Sequence, residues 1–85
     1  MKVLIPGALR SYTERADAQA SGETLAAVLG DLDRQYAGTR FRMSDEQDRI
    51  RAHTRIFVTG AQVRDLAHRP EPGDEVVIVQ ALSGG

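Results

Sequence analysis

The chain has no cysteine, no tryptophan, one lysine, and only two tyrosines and two phenylalanines among its 85 residues. Lack of cysteine removes disulfides, thiolate metal sites and any cysteine nucleophile or persulfide carrier from this polypeptide. No apolar run approaches the roughly 20 residues a membrane-spanning helix needs. The opening MKVLIPGALR has neither the long apolar region nor the small-residue cleavage site of a secretory signal. A cytoplasmic protein that does not enter membranes is therefore expected. The two histidines, His53 and His68, belong to no cluster with metal-ligand spacing and are expected in solvated loops. Strong charge of one sign is also missing: the net charge is −1, which argues against a general polyanion binder.

What is present suits a small soluble domain. Apolar residues make up 41% and charged residues 27%, both ordinary values, and 85 residues are just enough to bury a self-sufficient core. No repeat or low-complexity segment is visible. Residues 2–9 read as a strand that meets Pro6-Gly7; proline lacks an amide hydrogen, so this part is expected to be an edge, a bulge or an exit. Residues 14–20 alternate, with Ala16, Ala18 and Ala20 on one face, which predicts a half-buried strand. LRSYT between them is then a hairpin turn.

Residues 24–36 carry the clearest helix. Leu25, Val28, Leu29, Leu32 and Tyr36 form one apolar stripe. Thr24 or Ser21 can cap its start, and Gly38 is placed to stop it. Gly30 is expected to permit close packing against a sheet. Residues 39–53 are charged and irregular, with Phe41, Met43 and Ile50 as expected anchors. TRIFVT at 54–59 predicts a strand with Ile56 and Val58 on one face and Phe57 on the other. Gly60-Ala61 predicts a tight turn, and residues 62–64 a short return strand. Pro70, Pro72 and Gly73 mark a loop. EVVIVQAL, apolar on both alternating faces, predicts a central strand with both faces at least partly covered.

This order, with a right-handed crossover through the helix, gives an α+β β-grasp (ubiquitin-like) fold: a mixed sheet with one main helix across one face. A ferredoxin-like split βαβ is the rival. It would want a second full helix near residues 62–72, where the prolines oppose one. Residues 1–81 are assigned to the domain and 82–85 to a flexible tail.

That tail is LSGG. At ordinary glycine usage a terminal Gly-Gly arises in roughly one chain in two hundred. Four residues span about 13–14 Å when extended, and two glycines pass through a channel that admits no side chain. The one reactive group there is the carboxylate of Gly85, a poor electrophile that needs activation.

KVLIP, SGETLAAVLGDLDRQY, RIFVTGAQVR and PGDEVVIVQALSGG together resemble the MoaD/ThiS family of ubiquitin-like sulfur carrier proteins. The resemblance is collinear over nearly the whole chain. Its most specific part is G-D-E-V-x-I-x-x-A-hydrophobic-small-G-G at the end. IP-x-x-LR-x-YT, SG-x-TLAAV and DL-x-x-x-Y-x-G resemble the carriers that donate sulfur for cysteine synthesis. One departure is Gln80, where many members carry proline.

The resemblance implies that Gly85 is the acyl-adenylate and thiocarboxylate attachment point, with Gly84 as its spacer and Ser83 and Leu82 as docking residues in a partner channel. It implies a protein co-substrate, not an enzyme. That co-substrate binds no cofactor of its own and is adenylated by an ATP-using enzyme of the ubiquitin-activating type. A sulfurtransferase or sulfide source loads it, and a biosynthetic enzyme accepts its sulfur. A small subunit of molybdopterin synthase and a non-catalytic β-grasp binding module are the alternatives. The final acceptor, the oligomeric state and conjugation to lysines stay open.

Phe57, Val77 and Val79 are expected either on an exposed sheet face that docks the activating enzyme or in ordinary packing. Asp45, Glu46 and Asp48 do not make a calcium loop: counting from Asp45, Ile50 and Ile56 stand where a glycine and a glutamate are needed. Asp31 and Asp33 are expected at the surface. Arg40, Arg42, Arg49, Arg51 and Arg55 gather near Phe41, but with acidic residues interleaved. A solvated or partner-facing surface is expected there, and no nucleic acid.

Overall fold

The computed structural model describes residues 1–47 and 49–80. Five strands form one mixed sheet: β1 (Lys2–Leu4), β2 (Asp17–Gln19), β3 (Thr54–Val58), β4 (Ala61–Val63) and β5 (Glu75–Gln80). Their spatial order is β2-β1-β5-β3-β4. β5 lies in the middle, parallel to β1 and antiparallel to β3. The main helix, α2 (Leu25–Gln35), connects β2 to the second half of the chain. Two short helices complete the fold, α1 (Arg10–Thr13) and α3 (Thr39–Met43). This is the expected β-grasp.

The stripe read from sequence is the one α2 buries: Leu25, Val28, Leu29 and Leu32 have no exposed surface. They pack with Val3, Ala18, Ile56, Val58, Val76 and Ile78 from one side of the sheet. Each such side chain contributes about 1.5–3 kcal/mol on leaving water. Thr24 is the N-cap; its hydroxyl accepts the Ala27 amide at 3.2 Å. The two preceding helical amides have a less legible solution. Leu25 N–H donates to the His68 carbonyl at 2.9 Å and Ala26 N–H to the Leu66 carbonyl at 3.0 Å. The proline-rich loop thus satisfies orphan amides that a helix start must otherwise give to water, and buries Leu66.

Several expectations need correction. Residues 2–9 are not one strand. Pairing of β1 ends at Leu4, a 3-10 turn occupies Gly7–Leu9 and α1 follows directly. Pro6, lacking an amide hydrogen, caps that turn in extended conformation and its carbonyl accepts the Leu9 amide at 2.9 Å. LRSYT is therefore largely helical, not a hairpin turn. In the second strand, Ala18 and Ala20 are buried but Ala16 is exposed, because β2 spans only three residues.

Gly30 does not face the sheet: a Cβ there would meet only the Arg40 guanidinium, at 3.8 Å. The close approach is at Gly22, where a Cβ would come within 2.6 Å of Ala27 and Val28 atoms. Last, of the expected anchors in 39–53, Met43 is buried and Ile50 packs at the core's margin, but Phe41 is 63% exposed. A five-residue helix has one inward face, and Met43 and Thr39 occupy it.

The turn between β3 and β4 falls one residue earlier than expected. Thr59 (φ 47°) and Gly60 (φ 86°) are its central residues, the pair of positive φ angles that fits the twist of a two-residue hairpin. Thr59 is β-branched and disfavours that region. It is held by its neighbours: its hydroxyl donates to Asp74 at 2.7 Å and its amide to the Glu75 carbonyl at 2.9 Å.

Candidate functional site

One side of the sheet carries α2. On the other, every described strand residue is half-buried or exposed. Pairing places Leu4, Val77, Phe57 and Gln62 in one row across β1, β5, β3 and β4. Arg55 and Val79 form the next pair along β3 and β5. Leu4, Val77 and Phe57 are half-buried, while Val79 is 45% exposed. Polar residues rim the patch: Lys2 opposite Glu75, Asp17 opposite Leu4, and Gln62. Of the sequence-named docking residues, Phe57 and Val79 thus share this open face with Val77. Leu4 was missed. Its signal was the alternation of Lys2-Val3-Leu4, in which a buried Val3 turns Leu4 outward.

The second part of the site is where the chain leaves the sheet. Gln80 is the last residue of β5 and stands opposite Thr54. Its amide nitrogen donates to the Arg42 carbonyl at 2.8 Å and to the Thr54 hydroxyl at 3.2 Å. This side chain ties the end of the central strand to α3 and to the start of β3. The tail therefore departs from a fastened point at the middle of the sheet. Leu82, Ser83, Gly84 and Gly85 lie outside the described residues.

The other sequence candidates are structural. His53 and His68 are exposed, and among the described residues no three His, Cys, Asp or Glu stand close enough together to hold a metal ion. Asp45 accepts the amides of Gln47 and Arg49 and the Arg49 guanidinium at 3.0 Å; the Arg49 amide chiefly holds its carboxyl below the usual aspartate range. Asp48 lies outside the described residues. Asp31 is half-buried, not a free surface group. It accepts the Ser21 amide at 2.9 Å and the Arg34 guanidinium at 3.1 Å, and the former chiefly depresses its pKa. Asp33 accepts the amides of Gly38 and Arg40, which turns the chain from α2 into α3. Asp74 is depressed first by the Thr59 hydroxyl and then by the Glu71 amide. No described helix is long and apolar enough to cross a membrane.

The described residues form a small β-grasp body with one half-buried to exposed sheet face, and its central strand precedes the sequence LSGG at 82–85. Comparison with known families bears directly on it: the model of the ThiS family matches residues 3–85. The chain belongs to the ThiS family. The match includes the Gly-Gly end, and so extends past the last described strand residue. Among ThiS-family relatives, the sulfur carrier protein CysO of Mycobacterium tuberculosis is 37% identical over 89 residues, covering 98% of this chain and 96% of its own length. The crystal structure of M. tuberculosis CysO superposes with a TM-score of 0.89 at 34% identity, over 95% of this chain and 98% of that one. A chain of the Amycolatopsis orientalis BexX/CysO complex superposes with a TM-score of 0.90 at 27% identity, covering 99% and 98%. Family and fold therefore agree with the resemblance read from the quoted motifs.

Proposed function

We propose that this chain is a sulfur carrier protein that works through its own C-terminus. The observation that carries the reading is the continuity of the family match through Gly84-Gly85, directly after a strand anchored at the centre of the sheet. The protein supplies a rigid body and a narrow tail. Its partners supply the catalysis.

The chemistry starts at the Gly85 carboxylate. One of its oxygens attacks the α-phosphorus of ATP on an activating enzyme, pyrophosphate leaves, and an acyl-adenylate forms. Hydrosulfide then adds to the carbonyl carbon and AMP leaves, giving a thiocarboxylate. With a persulfide donor an acyl disulfide forms first, and a second thiol cleaves its S–S bond, taking up the donor sulfur as a mixed disulfide. The thiocarboxylate is a good nucleophile near neutral pH and transfers its sulfur to a biosynthetic acceptor. Likeness to the CysO proteins supports a precursor of cysteine or of a related sulfur metabolite as that acceptor, in the cytoplasm.

Each tail residue has a task in this scheme. Gly85 carries the sulfur, Gly84 keeps the channel path narrow, and Ser83 and Leu82 contact its walls. The open face with Leu4, Phe57, Val77 and Val79 seats the activating enzyme, as apolar patches rimmed by polar residues do.

The test is intact mass spectrometry of the protein with its native C-terminus, purified from its own cells and from cells lacking the candidate activating enzyme. A species in which one oxygen is exchanged for sulfur, localised to Gly85 and lost without that enzyme, is expected. Removing Gly85 is expected to abolish adenylation while leaving the thermal midpoint unchanged. Adenylation of the truncated protein would overturn the reading.

A further inference from the structure

The arginines around the tail's point of departure are not one solvated cluster. Arg49 turns away to pair with Asp45. Arg51 instead donates from Nε to the Phe41 carbonyl at 2.7 Å, and its guanidinium lies 4.8 Å from the centroid of the exposed Phe41 ring. Arg55 donates to the carbonyls of Ala52 and Thr54 at 2.8 and 3.2 Å. These partners fix the guanidinium groups in place but do not neutralise them. Among the described residues no carboxylate lies within ion-pair distance of Arg51, Arg55 or Arg64.

Two concavities meet at Arg51. One is lined by Phe41, Arg42, Arg51 and His53 together with Gly38. The other is lined by Arg51, Arg55 and Arg64 with neutral residues between them. Neither is lined by an aspartate or a glutamate among the described residues. A chain of net charge −1 therefore gathers four arginines and the exposed Phe41 ring at one corner. That corner holds the root of the tail: Gln80 bonds to Arg42 and Thr54, and Arg55 pairs with Val79 of the open face.

This position determines what the corner must meet. The tail is about 13–14 Å long when extended, so any protein that takes Gly85 into a channel brings the channel's mouth against this surface. Covering several cations with a neutral or basic wall leaves them desolvated and unpaired, at a large cost. Carboxylates in the wall remove that cost and speed the encounter. We propose that Arg51 and Arg55, with Phe41 as an apolar platform, form a second docking element for the activating enzyme. The complementary feature on that enzyme is a set of aspartate or glutamate side chains at the mouth of the channel that admits the tail. The proposal rests on the carrier reading above, and it adds an electrostatic contact to the apolar one.

The test is steady-state ATP–pyrophosphate exchange, using the purified 85-residue chain and the activating enzyme of the same cells. Wild type is compared with Arg51→Glu/Arg55→Glu and with the neutral pair Arg51→Gln/Arg55→Gln, each at low and high sodium chloride. At about 25 mM salt the glutamate pair is expected to raise KM for the carrier about tenfold or more, with the glutamine pair in between. At about 300 mM the gap is expected to shrink to about threefold, because exposed charges are then screened within a few ångströms. Circular dichroism melts check folding. Should the glutamate pair not fold, Arg55→Glu alone and the neutral pair decide.

A KM within about twofold of wild type at both salt concentrations overturns the proposal and leaves the carrier reading standing. No exchange with the wild-type protein overturns both. Binding of a single-stranded RNA 20-mer that these substitutions abolish, with KM unchanged, assigns the corner to nucleic acid instead and overturns the protein-docking proposal.

Discussion

The two sides of the central strand have the same chemistry and opposite fates. β5 sends Val76 and Ile78 to one side, where α2 leaves them 0% and 2% exposed. It sends Val77 and Val79 to the other, where Val77 is half-buried and Val79 is 45% exposed. A strand that served only its own core would alternate apolar with polar residues. This strand is apolar on both sides, so one face builds the core and the other, on the proposed function, seats a partner. On the proposed function, the open face is the docking surface, and the same strand precedes the sequence that carries the sulfur.

The largest effect is expected from breaking the covered face. Ile78→Ala removes a fully packed side chain beneath α2 and is expected to cost about 2–5 kcal/mol, read as the free energy of unfolding in urea. For a small domain of ordinary stability this is a large part of the total. The next substitution, one residue along the strand, should do the reverse. Val79→Gln is expected to change stability by no more than about 0.5 kcal/mol yet raise KM for adenylation about fivefold, by placing an amide in the apolar patch. If Val79→Gln unfolds the protein, or leaves KM unchanged, the two faces do not divide their tasks as described.

The smallest effect concerns the turn that joins the open face's outer strands. The Asp74 carboxyl is depressed below 3.8 by the Thr59 hydroxyl, so the fold favours its ionised form. The sign follows: this contribution is full above the unfolded pKa and is lost as pH falls through the lower, folded value. Asp31 and Asp45 are depressed in the same direction. Urea midpoints are expected to fall between about pH 6 and about pH 3, and Asp74→Asn is expected to show a smaller fall than wild type. An equal fall would remove Asp74 from the acid response.

Where the sequence was legible, one local period sufficed. The stripe Leu25, Val28, Leu29 and Leu32 is helical whatever lies opposite, and Thr24, the residue just before it, caps its start. The unbroken run of residues 76–79 announced a central strand, and Ile56 and Val58 alternated correctly with Phe57. The errors fell where segments are too short to carry a period. Residues 5–13 looked like strand and turn, but pairing stopped at Leu4 and the chain coiled from Pro6 into α1. Phe41 looked like an anchor because it is aromatic. In a helix as short as α3, which of Phe41 and Met43 turned inward depended on the packing of Tyr36 and Thr39 ahead of it. For the site, Phe57 and Val79 could be named from alternation alone. Leu4 joined them only through the parallel pairing of β1 with β5.

Sequence alone determined the elements with a long period and the presence of Gly84-Gly85 in a chain without a thiol. Local spacing and side-chain type suffice for both. Tertiary structure alone decided what those features stand beside. It put Leu66 and His68 carbonyls on the first amides of α2, turned Leu4 onto the open face, and split the arginines into one paired with Asp45 and others held on backbone carbonyls at the root of the tail. The α2 amide bonds and the β1–β5 pairing join residues distant in the chain and are set by backbone geometry and burial, which no local pattern of side chains encodes.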